Sequence, residues 1–191
     1  MWKHVFTSYS LGYHQDVHYR FLHRVLPTQA YMHLRFRGKG YANMNTSCLS
    51  CPNVAETNEH IFFRCCAARP IMTFIYPSIQ LLMQNKPFKL FKLALNDFPA
   101  AVPVRHQQMA ITILQLAMYT IWRNRNTLKF EGTLPPAAGS TVLIGRVFQS
   151  LLREQFDSYG PPGLIHFRTK YCHTPQICSV RPDGTLSVNL L

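Results

Sequence analysis

The sequence predicts a mainly α-helical fold, with a small helical domain around a cysteine/histidine knuckle, a long buried helix after it and an irregular C-terminal tail. Three observations lead to this prediction. Apolar residues recur at helical spacing in several segments, a C-x2-C-x8-H-x4-C pattern stands among them, and one apolar run covers nearly a whole helix circumference. The predicted divisions of the 191 residues are a helical domain at 1–131, a Pro/Gly/Ala linker at 132–140, an amphipathic helix at 141–159 and the tail at 160–191.

Two short helices are predicted before the cysteine/histidine pattern. Asp16 suits the N-cap position of the first helix, whose apolar residues continue at helical spacing until Pro27 ends it. Thr28 suits the N-cap position of the second helix, which the Gly-Lys-Gly turn at 38–40 terminates. Arginines stand on the outer face of the first helix and near the end of the second, so both helices present positive charge.

Two longer apolar stretches follow the pattern. Residues 71–83 predict a helix that Pro77 must kink or split, and residues 84–103 predict a looser connection. From about 106 to 130 runs the longest uninterrupted apolar pattern in the chain. A helix that is apolar on nearly all sides is a buried helix, so this segment is the predicted centre of the core.

The cysteine/histidine pattern itself predicts a metal site within segment 46–66. Cys48 and Cys51 stand two residues apart, the spacing at which a tight turn brings two sulfurs together. His60 and Cys65 are five residues apart, so both face one ion only if the helix between them frays or ends near Cys65. Three thiolates and one imidazole close a tetrahedral shell around zinc. The prediction is one structural zinc ion, because no coordination position remains for a catalytic water.

Other cysteines leave two questions open. Cys66 is an alternative to Cys65 as the fourth ligand. Cys172 and Cys178, with His173 between them, are predicted to be free thiols, with a second metal site as the alternative.

Charge and targeting signals indicate the class of partner and the compartment. Lys and Arg outnumber Asp and Glu by 20 to 8, which gives a formal charge of +12 and favours a polyanionic partner. The first residues lack the apolar region of a secretory signal, and no run of eighteen apolar residues occurs. Cysteines in a metal pattern are typical of a reducing compartment. We therefore expect an intracellular protein, nuclear or cytoplasmic, that is neither secreted nor bound to a membrane.

Three strings of residues together carry a family resemblance. They are Phe-Leu-His-Arg-Val-Leu-Pro-Thr at 21–28, Glu-Thr-Asn-Glu-His-Ile-Phe-Phe-Arg-Cys at 56–65 and Ile-Trp-Arg-Asn-Arg-Asn at 121–126. In order and spacing the chain resembles, over roughly residues 15–130, the reverse-transcriptase zinc-binding domain at the carboxyl end of non-LTR (LINE-like) retrotransposon polyproteins. The resemblance places the metal ligands on Cys48, Cys51, His60 and Cys65.

The resemblance implies nucleic-acid binding without catalysis. Such a module would help to hold template RNA or target DNA near a polymerase, alongside other parts of the polyprotein. The eight acidic residues of this chain form no catalytic set, so we expect neither a polymerase nor a nuclease active site and no small-molecule substrate. Tyr31 and Tyr41 are candidates for stacking on bases. The candidate phosphate contacts are Arg20, Arg24, Arg35, Arg37, Lys39, Arg64, Arg69, Arg123, Arg125 and Lys129.

Two other classes compete with this interpretation. A zinc hydrolase or deaminase needs a glutamate near an open metal, and Glu59 stands beside His60, but the deaminase order of H-x-E before P-C-x-x-C is not followed. The other alternative is a protein-interaction module, or a non-functional relic of a degraded retroelement.

Overall fold

The computed structural model describes residues 9–39 and 45–190 and confirms the mainly α-helical class. Gly40 and the candidate stacking residue Tyr41 lie outside the described residues. The helices are α1 Gly12–Leu22, α2 Gln29–Phe36, α3 Arg69–Leu82, α4 Leu90–Ala94, α5 Val104–Glu131, α6 Ala137–Tyr159 and α7 Leu164–Tyr171. Shorter turns are a 3-10 turn at Arg37–Lys39, a π turn at His60–Arg64 and a 3-10 turn at Pro161–Gly163, and the strands are β1 Cys178–Val180 and β2 Leu186–Val188.

Helix α5 is the central element of the core. Helices α1, α3 and α6 pack against it, and its residues Met109, Leu114 and Met118 are fully buried. The burial predicted from its apolar circumference is therefore confirmed. The helix ends where Gly132 adopts a left-handed conformation (φ 73°) and its N–H donates to the Leu128 carbonyl at 3.2 Å.

The start of α1 corrects the sequence prediction. The helix begins at Gly12 after an extended Leu11, so Asp16 lies inside it and is not its N-cap. The Asp16 carboxylate instead accepts from Arg20 Nε at 2.8 Å, one turn further along the helix. The predicted cap of α2 is confirmed, because the Thr28 hydroxyl accepts from the Tyr31 N–H at 3.2 Å.

Helix α3 runs through Pro77 as one element, so of the predicted kink or split the split does not occur. A proline removes one backbone donor, but the apolar face of this helix, including Ile71, Ile75 and Ile79, is completely covered by the core. That burial holds the helix together across the missing hydrogen bond.

The C-terminal third contains more regular structure than its sequence suggested. Helix α6 starts at Ala137, inside the predicted linker, and ends at Tyr159. The irregular tail that follows includes α7 and a two-stranded antiparallel sheet, in which Cys178 pairs with Val188. Tyr171 is fully buried, and its hydroxyl donates to Gln155 Oε1 at 2.9 Å. Among the described residues, no helix combines the length and the apolar character needed to cross a membrane.

Candidate metal centre and cationic surface

The first cysteine pair lies on a tight turn, as its spacing predicts. The Cys48 N–H donates to the Val54 carbonyl at 2.7 Å, and the Val54 N–H donates to the Cys51 carbonyl at 3.2 Å. Asn53 takes the left-handed conformation (φ 67°), which asparagine tolerates better than most residues. The turn holds both sulfurs on the same side of the chain.

The second pair depends on a π turn. In a regular α-helix, residues five apart are rotated by about 140° from each other and cannot share a ligand. Here the Cys65 N–H donates to the His60 carbonyl at 2.7 Å, an i to i+5 bond that widens the turn. The backbone at Cys65 is then extended (ψ 136°), so the helix ends at the ligand, as the spacing requires.

The four predicted ligands converge. Their donor atoms all lie within 4.8 Å of one another. The Sγ atom of Cys65 is 3.7 Å from Sγ of Cys48 and 3.8 Å from Sγ of Cys51. His60 is only 6% exposed, and its buried Nε2 atom has no hydrogen-bond partner among the described residues. A buried, unpaired nitrogen beside three sulfurs is what a metal ligand requires, so these residues fit a metal ion.

The electrostatics of the cluster also favour a cation. The contact between the Cys48 and Cys65 thiols lowers the pKa of Cys48 to about 5 and raises the pKa of Cys65. Burial raises the pKa of the Cys51 thiol. Three thiolates at these distances repel one another, so all three are deprotonated together only when a cation lies between them.

Cys66 lies beside the cluster, with its Sγ atom 3.3 Å from Sγ of Cys51. Its exposed thiol donates to the Ser50 carbonyl at 3.0 Å, and its backbone N–H donates to Cys51 Sγ at 3.4 Å. The converging group contains Cys65 and not Cys66. This convergence favours Cys65 over Cys66 as the fourth ligand.

Sequence reasoning missed a buried ion pair next to this centre. Glu56 is fully buried and Arg125 is 9% exposed. The Arg125 guanidinium donates to both carboxylate oxygens, from Nε at 3.2 Å and from Nη2 at 2.5 Å. The Gln29 N–H donates to the same carboxylate at 2.8 Å. The pair thus joins the metal segment, the start of α2 and the end of α5.

The ion pair connects the three strings that carry the family resemblance. Thr28 precedes Gln29, Glu56 opens the second string, and Arg125 lies in the third with its guanidinium 5.1 Å from the Trp122 ring centre. Arg125 is therefore not available to a phosphate group, which corrects its assignment as a contact. No pattern in the sequence joins these two residues, which stand 69 positions apart.

The remaining predicted contacts divide by environment. Arg20 pairs with Asp16, and Arg64 pairs with Glu59 at 2.6 Å, although both arginines are exposed. Lys129 is half-buried and donates to Gln29. The others are exposed and form no ion pair within the described part of the chain: Arg24, Arg35, Arg37, Lys39, Arg69 and Arg123.

A groove of about 630 Å³ lies against the metal centre. Phe63, Met72 and Tyr76 line it, and Arg64 and Arg69 stand at its edge near Cys65. Tyr76 is 41% exposed, so an aromatic face and two cations meet at one surface. Tyr31, the stacking candidate within the described residues, is half-buried.

The C-terminal cysteines do not form a second converging group. The Sγ atoms of Cys172 and Cys178 are 3.7 Å apart, but His173 stacks on His106 with ring centres 4.3 Å apart. In the described residues, the cluster of Cys48, Cys51, His60 and Cys65 is the one place where three or more such side chains meet.

No protein-family model, curated protein or solved structure matches this chain. Its function is therefore inferred from the geometry and chemistry of its own residues.

Proposed function

We propose that this chain is a zinc-stabilised nucleic-acid-binding module of the kind found at the end of non-LTR retrotransposon polyproteins, without a polymerase or nuclease active site of its own. The observation that carries the proposal is the convergence of Cys48, Cys51, His60 and Cys65. Three sulfur donors and one imidazole nitrogen favour zinc over harder divalent ions, which prefer oxygen. Four protein ligands make the zinc structural.

The metal would fix the shape of a cationic surface. Arg35, Arg37 and Lys39 lie together at the end of α2, exposed and without ion pairs in the described residues. Contacts of this kind bind phosphate groups without reading sequence. The ligand would be RNA or DNA.

The groove beside the metal supplies a place for bases. Phe63 and Tyr76 line it, and Tyr76 stacks on Phe88 with ring centres 5.0 Å apart. A base would extend this stack, because any base can stack on an aromatic face. Arg69 would contact an adjoining phosphate, and Arg64 would do so by leaving its pair with Glu59. Unpaired bases can enter such a groove, whereas paired bases in a duplex cannot. This arrangement supports a preference for single strands.

The buried pair of Glu56 and Arg125 supports the relation to the retrotransposon module. These residues stand in the strings that carry the resemblance, and their role in this fold is to join α2, the metal segment and α5. A residue pattern that includes this buried pair would specify the folded framework that presents the binding surface. Other parts of a reverse-transcriptase polyprotein are the proposed protein partners.

The test is the salt dependence of binding. Fluorescence anisotropy of labelled single-stranded RNA and duplex DNA would be followed from low to physiological salt. We expect the logarithm of the binding constant to fall linearly with the logarithm of salt concentration, and single-stranded RNA to bind more tightly. No binding at low salt, or binding insensitive to salt, would contradict the proposal and favour a protein-interaction module.

A pair of charge-matched variants localises the surface. The first variant has Gln in place of Arg35, Arg37 and Lys39. For single-stranded RNA, the slope of the logarithm of the binding constant against the logarithm of salt concentration should become less steep by about 2, since each lost phosphate contact removes about 0.7. Replacing Lys89, Arg105 and Arg168 by Gln removes the same charge from exposed positions elsewhere and should leave most of the slope intact.

A further inference from the structure

A second groove, far along the chain from the metal segment, lies between helix α6 and the C-terminal hairpin. Its volume is about 440 Å³. Arg146 and Arg153 line it from α6, and Arg181 lines it from the residues that precede the hairpin turn. None of these three arginines was among the contacts predicted from the sequence.

The walls of this groove are fixed by hydrogen bonds. The Gln149 side-chain amide on α6 donates to the Val188 carbonyl of β2 at 3.1 Å, which ties the hairpin to the helix. The Arg181 N–H donates to the Thr185 carbonyl at 2.8 Å, and Gly184 permits the tight turn with a φ of 82°. The three guanidinium groups are therefore presented by a defined framework.

The groove is positively charged, and no carboxylate lines it among the residues that the structure describes. Arg146, Arg153 and Arg181 form no ion pair among the described residues. Asp183, two residues after Arg181, is held in the turn by the Thr185 N–H at 2.9 Å and by the Thr185 hydroxyl at 2.7 Å. Glu154 directly follows Arg153 on α6 but does not line the groove. The rest of the lining combines two apolar residues, Leu186 and Val188, with four neutral polar ones: Gln149, Ser150, Ser187 and Asn189.

The arrangement suits an extended anion better than a single one. Arg146 and Arg153 are seven residues apart on one helix face, about 10 Å along its axis. Guanidinium groups bind phosphate oxygens through two parallel hydrogen bonds. A row of such groups at this spacing can contact successive phosphates of one strand, while the volume excludes a whole duplex.

We propose that this groove binds the phosphodiester backbone of a single nucleic-acid strand and gives the chain a second contact surface besides the zinc module. The nature of the ligand rests on the proposed nucleic-acid function, whereas the position of the site rests on the groove itself. A strand held at both surfaces would gain affinity from each, because the second contact becomes intramolecular.

The experiment compares four full-length proteins by anisotropy with single-stranded RNA across a salt titration. They are the wild type, Arg146→Gln/Arg153→Gln/Arg181→Gln, the same positions changed to Lys, and the control with Lys89, Arg105 and Arg168 changed to Gln. We expect the groove Gln variant to lose about 2 from the salt slope, since three contacts are removed. The Lys variant should retain most of the slope. Equal zinc content and equal thermal melting would show that each variant is folded.

Three outcomes distinguish a failure of this inference from a failure of the proposed function. Wild-type protein that binds no nucleic acid overturns the proposed function. Wild-type protein that binds, with the groove Gln variant indistinguishable from the control, overturns the groove alone. Loss of binding to phosphatidylserine vesicles in the Gln variant, with RNA binding unchanged, also overturns it by assigning the groove to a lipid surface.

Discussion

The two cysteine/histidine clusters share a spacing but not a structure. His60 and Cys65, like His173 and Cys178, stand in the order H-x4-C, and each set has a further cysteine nearby. In the first set the histidine nitrogen faces three sulfurs. In the second, the ring of His173 stacks on His106, and no third cysteine or histidine donor converges on the two sulfurs among the described residues.

The backbone between the residues makes the difference. In the first set, the Cys65 N–H donates to the carbonyl five residues before it, which brings positions five apart together. In the second set, the Cys178 N–H donates to the Thr174 carbonyl, four residues before it, and Cys178 then enters a strand. Ligand spacing therefore identifies a metal site only together with the turn that it requires.

The largest effect is expected for a substitution that disrupts the first cluster. Cys65→Ala should remove the metal and unfold segment 46–66, because structural zinc supplies about 10–16 kcal/mol of apparent binding free energy in small zinc motifs. Metal analysis and hydrogen exchange of this segment are the measurements. A variant that keeps one zinc per chain and full protection would assign the fourth position to Cys66.

The next effect tests the ion pair that anchors the metal segment. Glu56→Gln leaves the buried guanidinium of Arg125 without its counter-charge and should reduce the free energy of unfolding by about 3–5 kcal/mol. The C-terminal region is anchored by a neutral hydrogen bond from Tyr171 to Gln155. Tyr171→Phe should therefore cost only about 1 kcal/mol. Urea denaturation measures both changes in the free energy of unfolding. Equal losses for the two variants would contradict the expectation that the buried ion pair stabilises the fold more than the neutral hydrogen bond does.

A smaller effect is expected for the second cluster. Cys178→Ala removes a fully buried sulfur atom and should cost about 1 kcal/mol, with the zinc content unchanged. The same metal analysis and urea denaturation used for the larger effects apply. A loss of zinc in this variant would mean that the C-terminal cysteines also bind the metal.

A further effect depends on pH. Burial lowers the pKa of His173 from 6.5 to about 4, with smaller contributions from His106 and Arg105. The unfolded chain binds a proton here near pH 6.5, so the contribution to stability is complete above that pH and is lost as the pH falls toward 4. An NMR titration of the ring should give a midpoint near 4. A midpoint near 6.5 would show that the ring is exposed to solvent.

Local residue patterns predicted part of the molecule. The cap at Thr28, the burial of α5 and the turn between Cys48 and Cys51 all depend on residues within a few positions of one another. Physical rules for caps, periodicity and turns act at that range. These features were therefore predicted correctly.

The rest depends on partners distant in sequence. The acid-poor composition does not reveal that Glu56 pairs with Arg125, 69 residues away. Continuity of α3 across Pro77 and order around Tyr171 come from burial against other elements. Asp16 failed as a cap because α1 begins one turn earlier, at Gly12, after an extended leucine. Tertiary packing decided each of these features over local preference.

The most direct test of the metal centre is zinc quantification joined to X-ray absorption at the zinc edge. Protein purified without chelator should contain about one zinc per chain, with three sulfur ligands near 2.3 Å and one nitrogen ligand near 2.0 Å. Protein without zinc, or zinc with an oxygen ligand in place of a protein donor, would contradict a closed structural site at Cys48, Cys51, His60 and Cys65.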